Sequence, residues 1–279
     1  MPYALKDKVE KERERLQREG PLEPVEFSEW AAPIESGEIV ICGDYQVAVN
    51  AVSKLDNYPI PKTEDLYASL TGSQEFTKLD LSQAYQQIQL DEDCKRYVTI
   101  NTHKGLFRCN RLPYGVSSNP GIFQRTLENV VQGIPNVFVR VDDILITGKT
   151  RDSYLKTLSD VLERFKKIGI RLKKRKCTFL AKEVVYLGFI ITKDGIQPVE
   201  NKVEAIDKAP RHTNVSELKA YLGMLAYYNR FLKNLSTLLH PLNSLLQSKV
   251  KWTWGVEQEK AFLESKKLLK SDPKYISIL

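Results

Sequence analysis

Residues 136–148, Asn-Val-Phe-Val-Arg-Val-Asp-Asp-Ile-Leu-Ile-Thr-Gly, most narrowly constrain how this chain can fold. Two runs of β-branched and aromatic residues, Val137 to Val141 and Ile144 to Thr147, flank an adjacent pair of carboxylates. That pattern predicts a short hairpin with Asp142 and Asp143 at its turn. Asp is a favoured turn residue because its side chain bonds nearby backbone, so a solvated Asp-Asp turn is one interpretation. The other starts from repulsion: two carboxylates held together favour a cation, and hard oxygen ligands suit Mg²⁺. A third acid upstream and the order of elements favour the second.

Phe76 to Leu81 reads as a strand whose apolar alternation is interrupted by Asp80. Ser82 can cap the turn through Gln87, so Asp80 is not needed for capping. Val98 to Cys109 gives two short strands around His103-Lys104-Gly105, and Asn119-Pro120 opens a helix through Gln132. After the acidic hairpin, Asp152 or Ser153 is expected to cap a helix with Leu155, Leu158, Leu162, Phe165 and Ile168 on one face, closed by Gly169. Arg171 to Leu180 is expected to continue as a basic strand. From Asp80 onward the order β, α, β-β, α, β is that of a ferredoxin-like sheet with helices on one side. In that arrangement the first strand and the acidic hairpin are neighbours, which lets Asp80 meet Asp142 and Asp143.

The flanking segments are simpler. Tyr3 to Glu19 predicts an amphipathic helix stopped by Gly20-Pro21, Glu38 to Tyr45 a strand, and Thr63 to Leu70 a short helix capped by Thr63. Val184 to Thr192 with Lys193-Asp194-Gly195 makes a further hairpin. Asn214 with Glu217 forms a capping box ahead of a helix carrying Leu218, Tyr221, Leu225, Tyr228 and Leu232 on one face. A last helix follows Trp254 and runs to about Leu269.

Charge narrows the partners. The chain of 279 residues has a net charge of +7, and residues 164–176 hold eight basic residues in thirteen with no acid. Such a run is either a solvated face or a site for a polyanion such as nucleic acid. No apolar run approaches the ~18 residues of a membrane span, and Met1 to Glu10 is charged. The expectation is an intracellular, soluble protein without a membrane partner. Cys42, Cys94, Cys109 and Cys177 are irregularly spaced, which indicates neither zinc site nor disulfide framework. His103, His212 and His240 are read as structural.

Three carboxylates on adjacent strands beside a basic groove suit two-metal phosphoryl transfer. Over nearly its whole length the sequence resembles the reverse transcriptase of gypsy-type long-terminal-repeat retrotransposons, the polymerase region of their pol polyproteins. The resemblance is carried by Trp30-Ala31-Ala32-Pro33-Ile34, Ile41-Cys42-Gly43-Asp44-Tyr45, Tyr58-Pro59-Ile60-Pro61 and Phe76 to Leu81 with Ala84-Tyr85. It continues through Leu112-Pro113-Tyr114-Gly115, Pro120 to Gln124, Val141 to Leu145, Lys176-Cys177, Tyr186-Leu187-Gly188, Tyr221-Leu222-Gly223, Tyr227-Tyr228 and Trp252 to Phe262.

The resemblance implies an α+β right-hand polymerase of fingers, palm and thumb with a ferredoxin-like antiparallel palm sheet. Its parts would be an N-terminal arm and fingers at 1–75, palm at 76–87 and 129–196, fingers at 88–128, thumb at 197–245 and the start of a connection region at 246–279. The implied activity is RNA-directed DNA polymerisation, with a primer 3′-hydroxyl attacking the α-phosphate of a dNTP. Implied partners are an RNA or DNA template with its primer, and dNTPs. Two Mg²⁺ ions, with Mn²⁺ as a substitute, would be held by Asp80, Asp142, Asp143 and the carbonyl of Leu81. Ala84, Tyr85 and Gln124 would meet the nucleotide, the Tyr85 ring excluding a 2′-hydroxyl. Arg140, Lys176, Tyr186, Leu187 and Gly188 would bind primer and template, Lys176 from a basic strand behind the palm.

The sequence departs from that pattern in the fingers. The family hairpin there is longer and bears a lysine and an arginine that clamp the triphosphate; here only Glu35 to Val40 intervene, with Val40 at the arginine's place. Hydrogen bonds to charged groups contribute about 1.5–3 kcal/mol each, so losing two lowers nucleotide use on the order of 10²–10⁴-fold. Arg140 replaces an aromatic residue, and Cys109 and Tyr114 are milder departures. A copy that binds primer-template without efficient polymerisation is therefore the alternative expectation. A nuclease using the same acids is a third. With its end at Leu279, the chain is expected to lack protease, ribonuclease H and integrase activities.

Overall fold

The alternation that Asp80 interrupts is the backbone of a four-stranded sheet. The computed structural model describes residues 6–36, 41–46, 48–54, 57–70, 72–229, 234–247 and 250–270. Two compact units emerge, Met1–Lys62 with Thr77–Phe179, and Thr63–Phe76 with Leu180–Leu279. In chain order the first nine strands are β1 (Leu22–Val25), β2 (Ala31–Ser36), β3 (Ile41–Gly43), β4 (Glu75–Asp80), β5 (Thr99–Thr102), β6 (Gly105–Cys109), β7 (Val137–Arg140), β8 (Asp143–Gly148) and β9 (Thr178–Ala181).

One sheet has the order β7-β8-β4-β9. Numbered by their own succession these strands run second, third, first, fourth, which is the ferredoxin-like arrangement expected. The helix Asn119–Val131 lies between its first and second strands, and the helix Arg151–Ile168 between its third and fourth. Leu79, Ile144 and Ile146 from the sheet share one core with Phe123, Leu127, Leu158, Val161 and Phe165 from the two helices. The β5–β6 pair, although inserted after β4, joins the other sheet, β1-β6-β5-β2-β3. There β5 runs parallel to β2, pairing Ala31 with Thr99.

Local details differ from expectation in instructive places. The helix Arg151–Ile168 is capped by Thr150, not Asp152 or Ser153: the Thr150 hydroxyl accepts from the Ser153 amide, and Ser153 Oγ accepts from the Thr150 amide. Its buried face is Tyr154, Leu158, Val161 and Phe165, while Leu155 and Ile168 are exposed. Fully buried Tyr154 turns the apolar stripe away from Leu155 and Ile168, and its hydroxyl meets the buried Thr77 hydroxyl of β4. Gly169 closes the helix with φ 87.

The basic segment is not one strand. Leu172 bridges Leu81, Lys174–Lys176 form a 3₁₀ turn, and only then does β9 begin. Exposed charges at Lys173, Lys174, Arg175 and Lys176 leave no alternating apolar face to extend a strand. The short helix after Lys62 runs Thr63–Ala68, so Thr63 lies inside it.

In the second unit, β10 (Glu183–Tyr186), β11 (Phe189–Thr192) and β12 (Gly195–Pro198) form a three-stranded antiparallel meander, one strand more than the single hairpin expected. Asn214 caps the helix Val215–Tyr227, accepting from the Glu217 amide at 2.9 Å. Leu218, Tyr221, Leu222 and Leu225 are its buried residues. The expected contributions of residues 1–5, 37–40 and Leu232 lie outside the described residues. None of the four cysteines is joined in a disulfide, and no helix among the described residues is long and apolar enough to cross a membrane.

Candidate active site

β7 and β8 pair in a register that sets Arg140 opposite Asp143, so the two central turn residues are Val141 and Asp142. Asp143 is thus the first residue of β8, not part of the turn as the sequence suggested. Val141 has φ 54. Positive φ at the first central position belongs to the hairpin turns whose twist matches the strands. For a β-branched residue it is strained, and such strain gathers at functional sites.

Gln124 holds that turn. Its side chain is fully buried; Oε1 accepts from the Val141 amide at 2.6 Å, and Nε2 donates to the Val139 carbonyl at 2.8 Å and to Glu128 at 2.6 Å. The nucleotide contact expected of Gln124 is therefore corrected. The face of its helix that carries Phe123 and Leu127 packs on the sheet, which engages both ends of the amide with protein.

Asp80 ends β4, the strand beside β8. With successive side chains on opposite faces, Lys78 and Asp80 share the face away from buried Leu79. Lys78 Nζ lies 2.9 Å from Asp143 Oδ1, which ties β4 to the hairpin across that face. Asp142 is open to solvent at the turn, yet its carboxyl is held above the usual carboxylate range. Desolvation by the surrounding protein is the main cause; a backbone hydrogen bond opposes it, the charges of Asp143 and Asp80 reinforce it, and Lys78 pulls the other way. The charges of Asp80 and Asp143 thus reach Asp142, as the ferredoxin-like order allows.

Among the described residues no three acidic, histidine or cysteine side chains stand together as a finished metal cage. Lysines sit on two of the acids: Lys78 on Asp143, and Lys176, whose Nζ is 3.9 Å from Asp80 Oδ2. The donors nonetheless fit a divalent cation, being carboxylate oxygens whose mutual repulsion a cation relieves. Beside them, the ladder bonds around the Leu81–Leu172 bridge use the Asp80 carbonyl and the Ser82 amide, not the carbonyl of Leu81.

Two aromatic rings border Asp142. Tyr85, in the 3₁₀ turn Ala84–Gln87, packs 5.2 Å from the Tyr114 ring and 5.1 Å from the Phe123 ring. Burial and the charge of Asp142 push both tyrosine hydroxyls above their ordinary pKa. Ala84 is buried at the start of that turn. Tyr114 and Lys78 are site residues that the sequence reasoning passed over. Lys78 was findable, since an i, i+2 pair on a strand shares a face.

The remaining expected residues divide. Arg140 lies opposite Asp143, and its Nε is buried without a hydrogen-bond partner among the described residues. Lys176 reaches toward Asp80 from an exposed turn, so it lies on the acid side and not in a strand behind it. Arg164, in the same basic run, donates to the carbonyls of Val130 and Gln132 and caps the end of the Asn119 helix. In the second unit the Tyr186 side chain is fully buried, which removes it as a strand-contacting group. The Leu187-Gly188 turn, with φ 49 and 82, remains half-exposed; the Tyr227 hydroxyl donates to the Leu187 carbonyl at 2.6 Å.

Residues 39–191, a span containing β4, the Ala84–Gln87 turn and the acidic hairpin, match the sequence profile of the reverse transcriptase (RNA-dependent DNA polymerase) family. The chain belongs to that family. Among curated relatives, it is 33% identical over 233 residues to the retrovirus-related Pol polyprotein from transposon 297 of Drosophila melanogaster, covering 82% of this chain and 22% of that protein. It is 31% identical over 243 residues to the transposon Tf2-3 polyprotein of Schizosaccharomyces pombe, covering 86% and 18%. The chain thus spans about a fifth of the length of these relatives.

Among solved structures, a foamy viral protease-reverse transcriptase in complex with dsDNA aligns with TM-score 0.88 and 23% identity, over 97% of this chain and 58% of that one. The same enzyme in complex with an RNA/DNA hybrid aligns with TM-score 0.84 and 23% identity, over 97% and 37%. These likenesses support the α+β right-hand polymerase fold expected of a reverse transcriptase.

Proposed function

We propose that this chain is the polymerase core of a gypsy-type long-terminal-repeat retrotransposon reverse transcriptase, extending a primer on an RNA or DNA template with dNTPs. The observation that carries the proposal is the placing of Asp80 at the end of β4, the strand beside β8, with Lys78 of β4 2.9 Å from Asp143 in the hairpin that presents Asp142. Residues 76–87 and 129–196 are then palm, 1–75 and 88–128 arm and fingers, 197–245 thumb, and 246–279 the start of a connection region.

In this reading Asp80, Asp142, Asp143 and the Leu81 carbonyl would hold two Mg²⁺ ions, with Mn²⁺ as substitute, and such ions would supply Lewis-acid stabilisation to phosphoryl transfer. The primer 3′-oxygen forms a bond to the α-phosphorus while the bond to the leaving pyrophosphate breaks. Gln124 fixes the strained turn, so Asp142 is presented without reorganisation. Tyr85 and Tyr114 wall the space beside Asp142, where the Tyr85 ring leaves no room for a 2′-hydroxyl. Arg140 and Lys176 offer positive charge to strand phosphates, and the Leu187-Gly188 turn offers backbone to the primer.

Primer extension on an RNA template with Mg²⁺ tests the proposal, with Asp142→Asn as the inactive control. Extension by the unaltered chain, lost in the control, is expected and excludes a copy that only binds. A folded chain that extends no primer, even with a full-length fingers hairpin restored at 35–40, would reject the catalytic assignment.

A further inference from the structure

A cavity of about 380 Å³ opens beside the Ala84–Gln87 turn, and none of the three acids lines it. The 3₁₀ turn creates two sides: at about three residues per turn successive side chains diverge by roughly 120°. Tyr85 points to Asp142, while Gln86 and Gln87 line the cavity. Arg111, Arg171 and Glu19 complete its charged lining, together with Ser82 and Gln83.

Among the described residues neither Arg111 nor Arg171 has a carboxylate partner, and the carboxylate of Glu19 is engaged by Arg15. The wall is built, not incidental. Gln87 Nε2 donates to the carbonyls of Ser82 at 2.7 Å and Arg171 at 3.0 Å, and its Oε1 accepts from the Arg171 amide at 2.7 Å. That clamp fixes the backbone from which the Arg171 side chain springs. Arg111 Nη1 contacts the Gln87 carbonyl at 3.4 Å, leaving most of its guanidinium donors for another acceptor.

We propose that this cavity is a second anion site, binding a compact polyphosphate such as pyrophosphate or the triphosphate of a nucleotide through Arg111 and Arg171. Guanidinium groups match phosphate oxygens in paired, planar hydrogen bonds. The two positive side chains around one polar hollow are relieved by a multivalent anion, and the enclosed volume suits a small molecule better than a continuous strand.

The test uses the full chain in EDTA, so no divalent cation bridges a ligand to the acids and no turnover is needed; its result is independent of the polymerase assignment. Calorimetric titration with pyrophosphate, tripolyphosphate and dATP should show saturable binding by at least one. Arg171→Met should weaken it roughly tenfold or more, because a charged hydrogen bond is lost, and Asp142→Asn should leave it unchanged. Arg171 is exposed and its side chain bonds to none of the described residues, so Arg171→Met should melt like the parent; Arg111→Met is the second variant. No binding at millimolar ligand, equal binding by a folded Arg171→Met chain, loss in Asp142→Asn, or binding of single-stranded oligonucleotide alone each overturns the proposal.

Discussion

Lys78 Nζ stands 2.9 Å from Asp143 Oδ1, joining the strand that ends in Asp80 to the hairpin that carries the other two acids. The ammonium occupies part of the charge environment a divalent cation needs. Replacing it by Met removes a competitor, and a partly exposed ion pair contributes about 0.2–1 kcal/mol. Lys78→Met should therefore bind Mn²⁺ roughly 1.5- to 5-fold more tightly in a titration of the free protein. Weaker Mn²⁺ binding would instead make Lys78 a support that orders Asp143.

Asp142 gives a pH-dependent prediction. Its carboxyl is held above the ordinary value, so the folded chain binds that proton more tightly than the unfolded one. Stability from this group is then greatest in acid and declines as pH rises from the unfolded towards the folded pKa, the deficit persisting at neutral pH. Asp142→Asn should melt higher than the parent at pH 7 without divalent cation, by about 1 kcal/mol or less given solvent screening. The gap should close below pH ~4. Mg²⁺ should raise the melting temperature of the parent more than that of the variant.

Gln124→Leu strands the Val141 amide and the Val139 carbonyl in a buried setting. Each unsatisfied group costs about 1–3 kcal/mol, so urea denaturation should show a loss of roughly 2–6 kcal/mol for the two. Primer extension by the remaining folded chain should fall too, since the turn presenting Asp142 loses its brace. A variant that loses stability but keeps full extension per folded molecule would limit Gln124 to packing.

Tyr85→Ala should admit ribonucleotides. Removing the ring that packs against Tyr114 and Phe123 opens the space beside Asp142. Single-nucleotide extension should show discrimination against a 2′-hydroxyl reduced about 10- to 100-fold. Unchanged discrimination would move the sugar-excluding role elsewhere, with Tyr114 the first residue to examine.

Much of this architecture was legible in the chain because period and punctuation agreed. Apolar alternation around Asp80 and the acid pair, with a helix in each of the two connections, fixed the sheet order and hence the meeting of the acids. What escaped was decided by tertiary contacts. Tyr154 rotates the buried face of its helix away from Leu155 and Ile168, which no periodicity of leucines reveals. Gln124 looks like a polar helix residue until the strand beneath offers it an unpaired amide and carbonyl. Tyr186 was expected to meet the primer, yet its side chain is fully buried, while its carbonyl accepts from the Tyr67 hydroxyl and the Tyr67 ring packs edge-on against Phe189. Lys176 was placed by assuming a strand continuous through charged residues that have nothing to pack against.

The insertion of β5 and β6 between β4 and β7 bears on how the protein comes to maturity. Asp80 precedes its partner acids by some sixty residues, and the strands between them pair in a different sheet. Closure entropy over such a long interval delays native pairing until late in folding. Affinity for a divalent ion should accordingly be among the last properties a refolding chain acquires, making Mn²⁺ capture a clock for completion of the sheet.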